Sequence, residues 1–411
     1  MEVYIGIDWS ESKHDVIFMN EAAAVLALFT IPHSPDGFHK LDVTCRQQGF
    51  HVDDCLIALE TAHNLLIDFL WARGYTQVYV IPPSVTKSQR KRYRQSGAYT
   101  DVDDAYLLAD LLRTDKHRLQ PWRPDLPLTQ HMRAKVSFLL HLTQNNVRLT
   151  NRLRAVLLRY YPGIVGVFSK LNSPIALEFI RAYPTPQAAA TLDFDEFRTF
   201  ARQHCYTQLK KLPRCFARLQ TAQPEAAPDI VHIYHGEAVA LATLLLDMVR
   251  LEKTTQKELN ELFVQHPDHQ IFASLPGVGD LLAPALLVKF GDDRQRFPTP
   301  GSVQALAGTC PVTERSGNRK IVKFRKACDR EFRYITQQWA GHSKDVSVWA
   351  NAYYRQALAR GGSKSHAQRC LANRWLSILW TLWQTGEPYD EAYHLRQRAE
   401  RSRPKNVILI G

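Results

Sequence analysis

The chain has no Cys-x-x-Cys pair. Its seven cysteines, Cys45, Cys55, Cys205, Cys215, Cys310, Cys328 and Cys370, are odd in number and far apart. That spacing argues against a zinc site or a disulfide framework and predicts reduced thiols in a cytosolic protein. No stretch approaches the roughly 20 apolar residues of a membrane span, so no membrane association is expected. No basic-then-apolar leader precedes the first strand pattern, and secretion is not expected either. Internal repeats and low-complexity segments are also missing. Gly361-Gly362-Ser363-Lys364 lacks the spacing of a phosphate-binding P-loop and reads as a helix connector.

What is present is a basic chain of 411 residues, with 52 Lys and Arg against 40 Asp and Glu. That length predicts two or three domains, because single cores rarely grow beyond roughly 250–300 residues. The surplus of 12 positive charges and a pI near 9.3 point to a polyanionic partner, nucleic acid ahead of a membrane surface.

The first 125 residues read as strands over 2–8, 13–19, 24–31, 55–60 and 77–81, with helical patterns over 35–48 and 63–73. Three early strands without helices between them predict an antiparallel meander. The later alternation predicts parallel crossovers. That order is the one expected of an RNase H-like core.

Four acids stand out on this frame. Asp8 ends the first strand, Glu60 ends the fourth, and Asp101 and Asp104 share one face at the start of a helix. Acids at strand ends and helix starts are common as turn and cap residues. Four converging carboxylates, however, need a cation, and Mg²⁺ is the usual hard ion for oxygen ligands, with Mn²⁺ as a substitute. Two such ions about 4 Å apart would clamp the attacking and leaving oxygens of a phosphodiester.

A basic stretch, Lys87, Arg90, Lys91, Arg92 and Arg94, precedes the Asp101/Asp104 helix and is expected to contact nucleic acid. Pro121, Pro124 and Pro127 mark a linker. Long helices are predicted over 129–160 and 237–264, the second with Leu241, Leu244, Met248, Leu251, Leu259 and Leu262 as its stripe. They suit a hairpin within one subunit or a coiled coil between subunits. The stretch 165–228 reads as short helices broken by prolines.

Leu275-Pro276-Gly277-Val278-Gly279 resembles a helix–hairpin–helix element, with Gly277 and Gly279 permitting a tight turn toward a phosphate. It is equally a simple helix connector. Ser316 precedes Gly317 in what reads as a basic, nucleic-acid-binding loop with Arg315, Arg319, Lys320, Lys323, Arg325 and Lys326. Cations there would hold a phosphodiester and favour developing negative charge. Serine is a weak nucleophile without a base, and no His or Lys nearby is an obvious one. Charge runs are also commonly solvated faces. Ser302 is a second serine in the same region, but it follows a helix break and lacks basic neighbours, so Ser316 is favoured. Trp339, Trp349, Trp375, Trp380 and Trp383 lie on helical patterns and are expected in a core.

Ile5-Gly6-Ile7-Asp8 with Lys13 and Asp15, then Glu60, then Thr100 to Ala105, form one block of motifs. Leu275 to Gly279, Ala305-Leu306-Ala307-Gly308 and Ser316-Gly317 form another. With both in this order the chain resembles the DEDD insertion-sequence transposases, which include the Piv-type invertases and the bridge-RNA-guided recombinases. The resemblance covers about two thirds of the chain. It implies a RuvC-like nuclease domain over residues 1–125, a helical linker or coiled-coil region over 126–268, a mostly helical C-terminal transposase domain over 269–395, and a tail over 396–411. It implies that Asp8, Glu60, Asp101 and Asp104 ligate Mg²⁺ and that Ser316 attacks DNA, becoming transiently linked to a phosphate. It further implies DNA element ends and a target as partners, a noncoding bridge RNA as guide, a dimer or tetramer, and a bacterial or archaeal cytoplasm with nucleoid association.

The chain departs from the family at Tyr99, where Lys is common before Thr-Asp, and at Lys326 to Arg330, where a glycine often stands. Its middle region is longer than in compact members. A RuvC-like endonuclease using metal-activated water would need the four acids but not Ser316. A non-catalytic nucleic-acid-binding protein would need neither. A sugar kinase of the actin-like fold is disfavoured, because Trp9-Ser10-Glu11-Ser12 replaces its glycine-rich phosphate turn.

Overall fold

The computed structural model describes residues 2–61, 65–93, 100–221, 224–317 and 319–402, without the side chains of 91–93 and 398–402. The chain divides into two compact units, Met1–Pro124 and Asp125–Gly411.

The first unit holds β1 (Val3–Trp9), β2 (Lys13–Met19), β3 (Val25–Pro32), α1 (Pro35–Gln47), β4 (Cys55–Leu59), α2 (Leu65–Ala72), β5 (Val78–Val80), α3 (Pro83–Tyr93) and α4 (Asp101–Asp115). Its sheet runs β3-β2-β1-β4-β5. β1, β2 and β3 pair antiparallel, while β4 joins β1 and β5 in parallel. This is the meander-then-crossover order expected from the spacing of apolar runs, with strand ends within two residues of those read from the sequence.

β1 and β4 are central and covered on both faces, so they are continuously apolar rather than alternating. Side chains still alternate by face. Val3, Ile5, Ile7, Ile57 and Leu59 pack with Phe38 and Leu41 of α1 and Leu66 and Leu70 of α2. Tyr4, Leu56 and Ala58 pack with Ala105, Leu108, Ala109 and Leu112 of α4. The sheet is thus a sandwich filling between α1/α2 and α4.

The second unit opens with α5 (Pro127–Tyr160), then α6 (Pro174–Ala182), α7 (Pro186–Ala190), α8 (Phe194–Gln203), α9 (Leu212–Leu219) and α10 (Pro228–Gln265). At 34 and 38 residues, α5 and α10 are about 50 and 57 Å long. They lie antiparallel within the chain, tied by Lys135–Glu258 at 2.6 Å and Arg152–Glu237 at 2.7 Å. One end of the pair encloses α6, α8 and α9 in an aromatic-rich core around Phe179 and Phe197.

The buried stripe of α10 includes Leu241, Ala242, Leu245, Leu246 and Leu259. Of the expected stripe Leu241 and Leu259 are buried and Met248 and Leu262 half-buried, while Leu244 and Leu251 face out. Alanine at 242 lets the helix rotate its contact line toward α6. By length and composition α10 is the one described helix that could cross a membrane, which corrects the expectation that no stretch comes near. Packing on α5 and α6 buries part of the apolar surface of α10, a third of its most apolar window.

The remainder comprises α11 (His269–Ala273), α12 (Gly279–Phe290), α13 (Pro300–Leu306), the antiparallel hairpin β6 (Val312–Ser316) and β7 (Arg319–Lys323), α14 (Arg330–Val346), α15 (Val348–Ala359), α16 (Lys364–Thr385) and α17 (Glu391–Ser402). Trp339, Trp349, Trp375 and Trp383 are buried in its core, as expected. The indole N–H of Trp375 donates to Ser343 Oγ at 2.7 Å, and that of Trp380 to the Phe297 carbonyl at 2.8 Å.

Candidate active site

Gly6 brings the acids of the first unit together. A Cβ built on it would stand 1.9 Å from the Ala105 carbonyl oxygen and 2.6 Å from the Ala109 nitrogen. Only glycine lets α4 lie directly on β1. Two residues on, by strand alternation, Asp8 faces the same α4 side. Glu60 follows Ala58 in the same way, just past the end of parallel β4, whose Leu59 pairs with Ile7.

The first turn of α4 supplies the other two acids. Thr100 caps the helix, its hydroxyl accepting from the Asp103 amide, while Asp103 accepts from the Thr100 amide at 2.8 Å. This capping box assigns Asp103 to helix initiation. It leaves Asp101 and Asp104 free to face the strand ends.

Burial, and then the charges of Asp104, Asp101, Glu60 and Asp15, push the Asp8 carboxyl up to about 7. Asp15 pairs with Asp8 across β1 and β2 and accepts from Thr30 Oγ1 at 2.5 Å. The donor set is therefore hard oxygen with mutually repelling carboxylates around Asp8, which fits a hard divalent cation. The acids are not drawn tight, however. Among the described residues no group of three Asp, Glu, His or Cys is arranged to hold a metal ion.

What holds them apart is α3. Thr86 and Arg90, four residues apart on one helix face, reach Glu60 and Asp104. Thr86 donates to Glu60 Oε1 at 2.5 Å. Arg90 forms a fork on Asp104, Nε to Oδ1 at 2.9 Å and Nη2 to Oδ2 at 2.6 Å. Lys13 Nζ stands 3.6 Å from Asp101 and 3.7 Å from Asp15. Arg90, read from sequence as a nucleic-acid contact, is thus a counter-ion of the acid cluster, and its guanidinium is driven up chiefly by Asp104. Lys87 on the same helix is exposed. The side chains of Lys91, Arg92 and Arg94, and Tyr99, lie outside the described residues. Thr86 escaped the sequence reading; the signal was its i,i+4 spacing from Arg90 after the last strand.

In the second unit Ser316 is the last residue of β6, opposite Arg319, at a tight turn through Gly317 with φ of +55°. This corrects the expectation of a loop in an otherwise helical domain. The hairpin is exposed, with Arg315, Ser316, Arg319, Lys320 and Lys323 all at the surface. Lys323 pairs with Glu314 at 2.6 Å. No described residue hydrogen-bonds the Ser316 hydroxyl. Ser302 sits in α13, its hydroxyl 3.1 Å from Thr299 Oγ1.

The Gly277 turn has a packing reason. A Cβ there would stand 2.8 Å from the backbone of His342 and Ser343, and Trp339 donates to the Pro276 carbonyl at 3.0 Å. Gly277 therefore docks the turn on α14. Gly279, with φ of +57°, has open space around its Cβ position.

The first unit thus places two strand-end acids beneath a helix carrying two more, and the second unit places a serine in an exposed basic hairpin. Comparison with known proteins gives the family. A transposase family model matches residues 5–162, and a second, described as the IS116/IS110/IS902 transposase family, matches residues 269–355. The chain belongs to the DEDD insertion-sequence transposases. It is 29% identical over 398 residues to a protein of the IS117 mini-circle from Streptomyces coelicolor, covering 95% of this chain and 96% of that one. It is 27% identical over 411 residues to the insertion element IS116 protein of Streptomyces clavuligerus, covering 97% and 98%. A protein of insertion element IS900 from Mycobacterium paratuberculosis is 24% identical over 403 residues, covering 95% and 98%.

Proposed function

We propose that this transposase cuts and rejoins DNA with an RNase H/RuvC-like acid centre and a serine nucleophile. The observation that carries the reading is Asp8: half-buried among Asp104, Asp101, Glu60 and Asp15, it is pushed up to about 7 and wants a cation. Asp8, Glu60, Asp101 and Asp104 would hold Mg²⁺, or Mn²⁺ in its place. The ion, when bound, supplies Lewis-acid stabilisation of charge on phosphate oxygens. Thr86 orients Glu60. Arg90 and Lys13 balance the acids and would be released toward phosphate as the cation takes their place.

Ser316 stands where a strand can approach it closely, because Gly317 adds no side chain beside it. Its Oγ would bond to the scissile phosphorus as a deoxyribose oxygen leaves. Serine gives up its proton, the leaving oxygen gains one, and the phosphodiester energy is kept for rejoining. Arg315, Arg319, Lys320 and Lys323 would steady the phosphate. Arg325, Lys326 and the Gly279 turn would extend this surface along the DNA.

Partner choice follows the same reading. The protein's contacts are to backbone and shape, so sequence choice would rest with pairing to a bridge RNA, a division of labour known from another RNA-guided system. Exposed Val147, Leu244 and Leu251 on the α5/α10 hairpin support self-association as a dimer or tetramer. The setting would be the cytoplasm, at the nucleoid.

A strand-transfer assay with element-end DNA, co-purified RNA and Mg²⁺ tests this. Asp8→Asn and Ser316→Ala should each abolish joined product while DNA binding persists. Full cleavage by Ser316→Ala would instead mean that water is the nucleophile.

A further inference from the structure

β7 runs out at Lys323, and the next residue is Phe324, an aromatic ring left 46% exposed. Two guanidiniums lie over it. Arg333 of α14 is 4.5 Å from the ring centroid and Arg369 of α16 is 4.8 Å from it. The two charges therefore stand no farther apart than about a Debye length of 10 Å. Arg325 adjoins them, its carbonyl accepting from Arg333 Nη2 at 2.5 Å.

No carboxylate among the described residues balances these three arginines. The acids close to them in sequence are engaged elsewhere: Asp329 and Glu331 with Lys289, and Glu314 with Lys323. The Nε atoms of Arg325 and Arg333 are buried with no hydrogen-bond partner. Gly308 makes the arrangement possible. A Cβ on it, at φ of +62°, would stand 2.5 Å from Arg333 Nη2 and 2.8 Å from Arg333 Nε. Any side chain at 308 would evict the guanidinium from its slot.

Like charges gathered on one ring without an anion cost free energy, and an anionic ligand would repay it. Arginine forks match phosphate oxygens. Aromatic and arginine side chains together are the usual platform for single strands. The position is also telling. Phe324 lies just past the end of β7, five residues from Arg319, which faces Ser316. At about 3.3 Å per residue that is at most roughly 16 Å, or about five phosphate spacings along the axis of a B-form strand.

We propose that Phe324, Arg333 and Arg369, with Arg325 beside them, form a phosphodiester clamp that grips a nucleic-acid strand on its way to Ser316. The clamp rests on the reading that the hairpin presents Ser316 to nucleic acid. Phe324 acts as the spacer that aims both guanidiniums. Gly308 acts as the seat of one of them.

Fluorescence anisotropy across a salt series tests it, using a 30-nucleotide mixed-sequence duplex DNA, the same single strand, and its RNA counterpart. Arg369→Gln should weaken binding of the clamped form about three- to tenfold. It should also lower the slope of log K against log salt by about 0.9 for a duplex or 0.7 for a single strand. Phe324→Leu should weaken the same probe while leaving that slope nearly unchanged. The probe with the largest loss identifies the strand. Phe324→Leu keeps the test decisive if Arg369→Gln lowers the melting temperature. Wild-type binding by both variants on all probes, with Lys320→Gln weakened, would overturn the clamp and leave the hairpin reading standing. A wild-type protein that binds none of the probes would overturn both.

Discussion

Gly6→Ala is the perturbation that most directly links packing to the acid centre. The new methyl would stand 1.9 Å from the Ala105 carbonyl oxygen, where ordinary contact begins at 3.4 Å. Both partners are backbone, so no side chain can rotate away. α4 must retreat from β1 by about 1.5 Å, and Asp101 and Asp104 move with it. Overpacking of this kind costs about 1–3 kcal/mol. A misplacement of about 1 Å in a reacting geometry costs about a hundredfold in rate. The variant should melt several degrees lower and lose strand transfer by about a hundredfold or more, even at temperatures where it is folded. Gly236→Ala is the matched control. It sits inside α10 with open space at its Cβ, and alanine there should stabilise by about 0.5–1 kcal/mol. Thermal melts and strand-transfer rates on both variants decide the matter. A folded Gly6→Ala protein with wild-type activity would refute the claim that this glycine sets the acid geometry.

Other expectations follow from the same structure. Burial, and then the neighbouring His33, hold the His14 imidazole down at about 4, against an ordinary 6.5. At this site the folded state binds fewer protons than the unfolded one. The His14 contribution to stability therefore falls as pH drops from about 6.5 toward 4, by up to roughly 3 kcal/mol. The raised Asp8 carboxyl contributes with the opposite sign over the same range. Denaturant melts of wild type and His14→Phe at pH 7 and pH 4.5 separate the two, because only wild type carries the His14 loss on acidification; an identical pH dependence in both proteins would contradict the assignment. Arg90→Gln removes the fork on Asp104. It should make the melting temperature respond to lower Mn²⁺ concentrations than in wild type, an effect that Asp8→Asn abolishes; no change in the Mn²⁺ midpoint would count against competition. Trp375→Ala empties a fully buried ring site and removes the indole N–H that donates to Ser343 Oγ. It should cost about 3–5 kcal/mol by chemical denaturation, and a loss under 1 kcal/mol would contradict the packing.

The N-terminal sheet was legible because its strands are short apolar runs bounded by polar turns, and the runs of β1 and β4 each carry one acid at their end. Asp8 and Glu60 could be placed by that rule alone, and Asp101 and Asp104 by helical spacing. Other parts were hidden for physical reasons. α3 carries Lys87, Arg90, Lys91 and Arg92 with almost no apolar stripe. Its basic composition pointed to a nucleic-acid contact, whereas Thr86 and Arg90 hold it to the acids. The β6–β7 hairpin has no buried face, so it lacks the apolar alternation that reveals a strand. In α10 the abundance of leucine left the stripe ambiguous by one residue, and only packing on α5 and α6 selected Leu245 over Leu244. Gly6 and Gly308 read as family motifs in sequence; their meaning is a distance, and it emerges only when α4 and Arg333 are in place.

The central claim is that the acid centre and Ser316 act in one covalent reaction. The measurement that tests it most directly is mass spectrometry of the protein digested after incubation with element-end DNA, co-purified RNA and Mg²⁺. A phosphonucleotide on the Ser316 peptide, lost in Asp8→Asn, is the predicted result. DNA cleavage without an adduct, undiminished in Ser316→Ala, would contradict it.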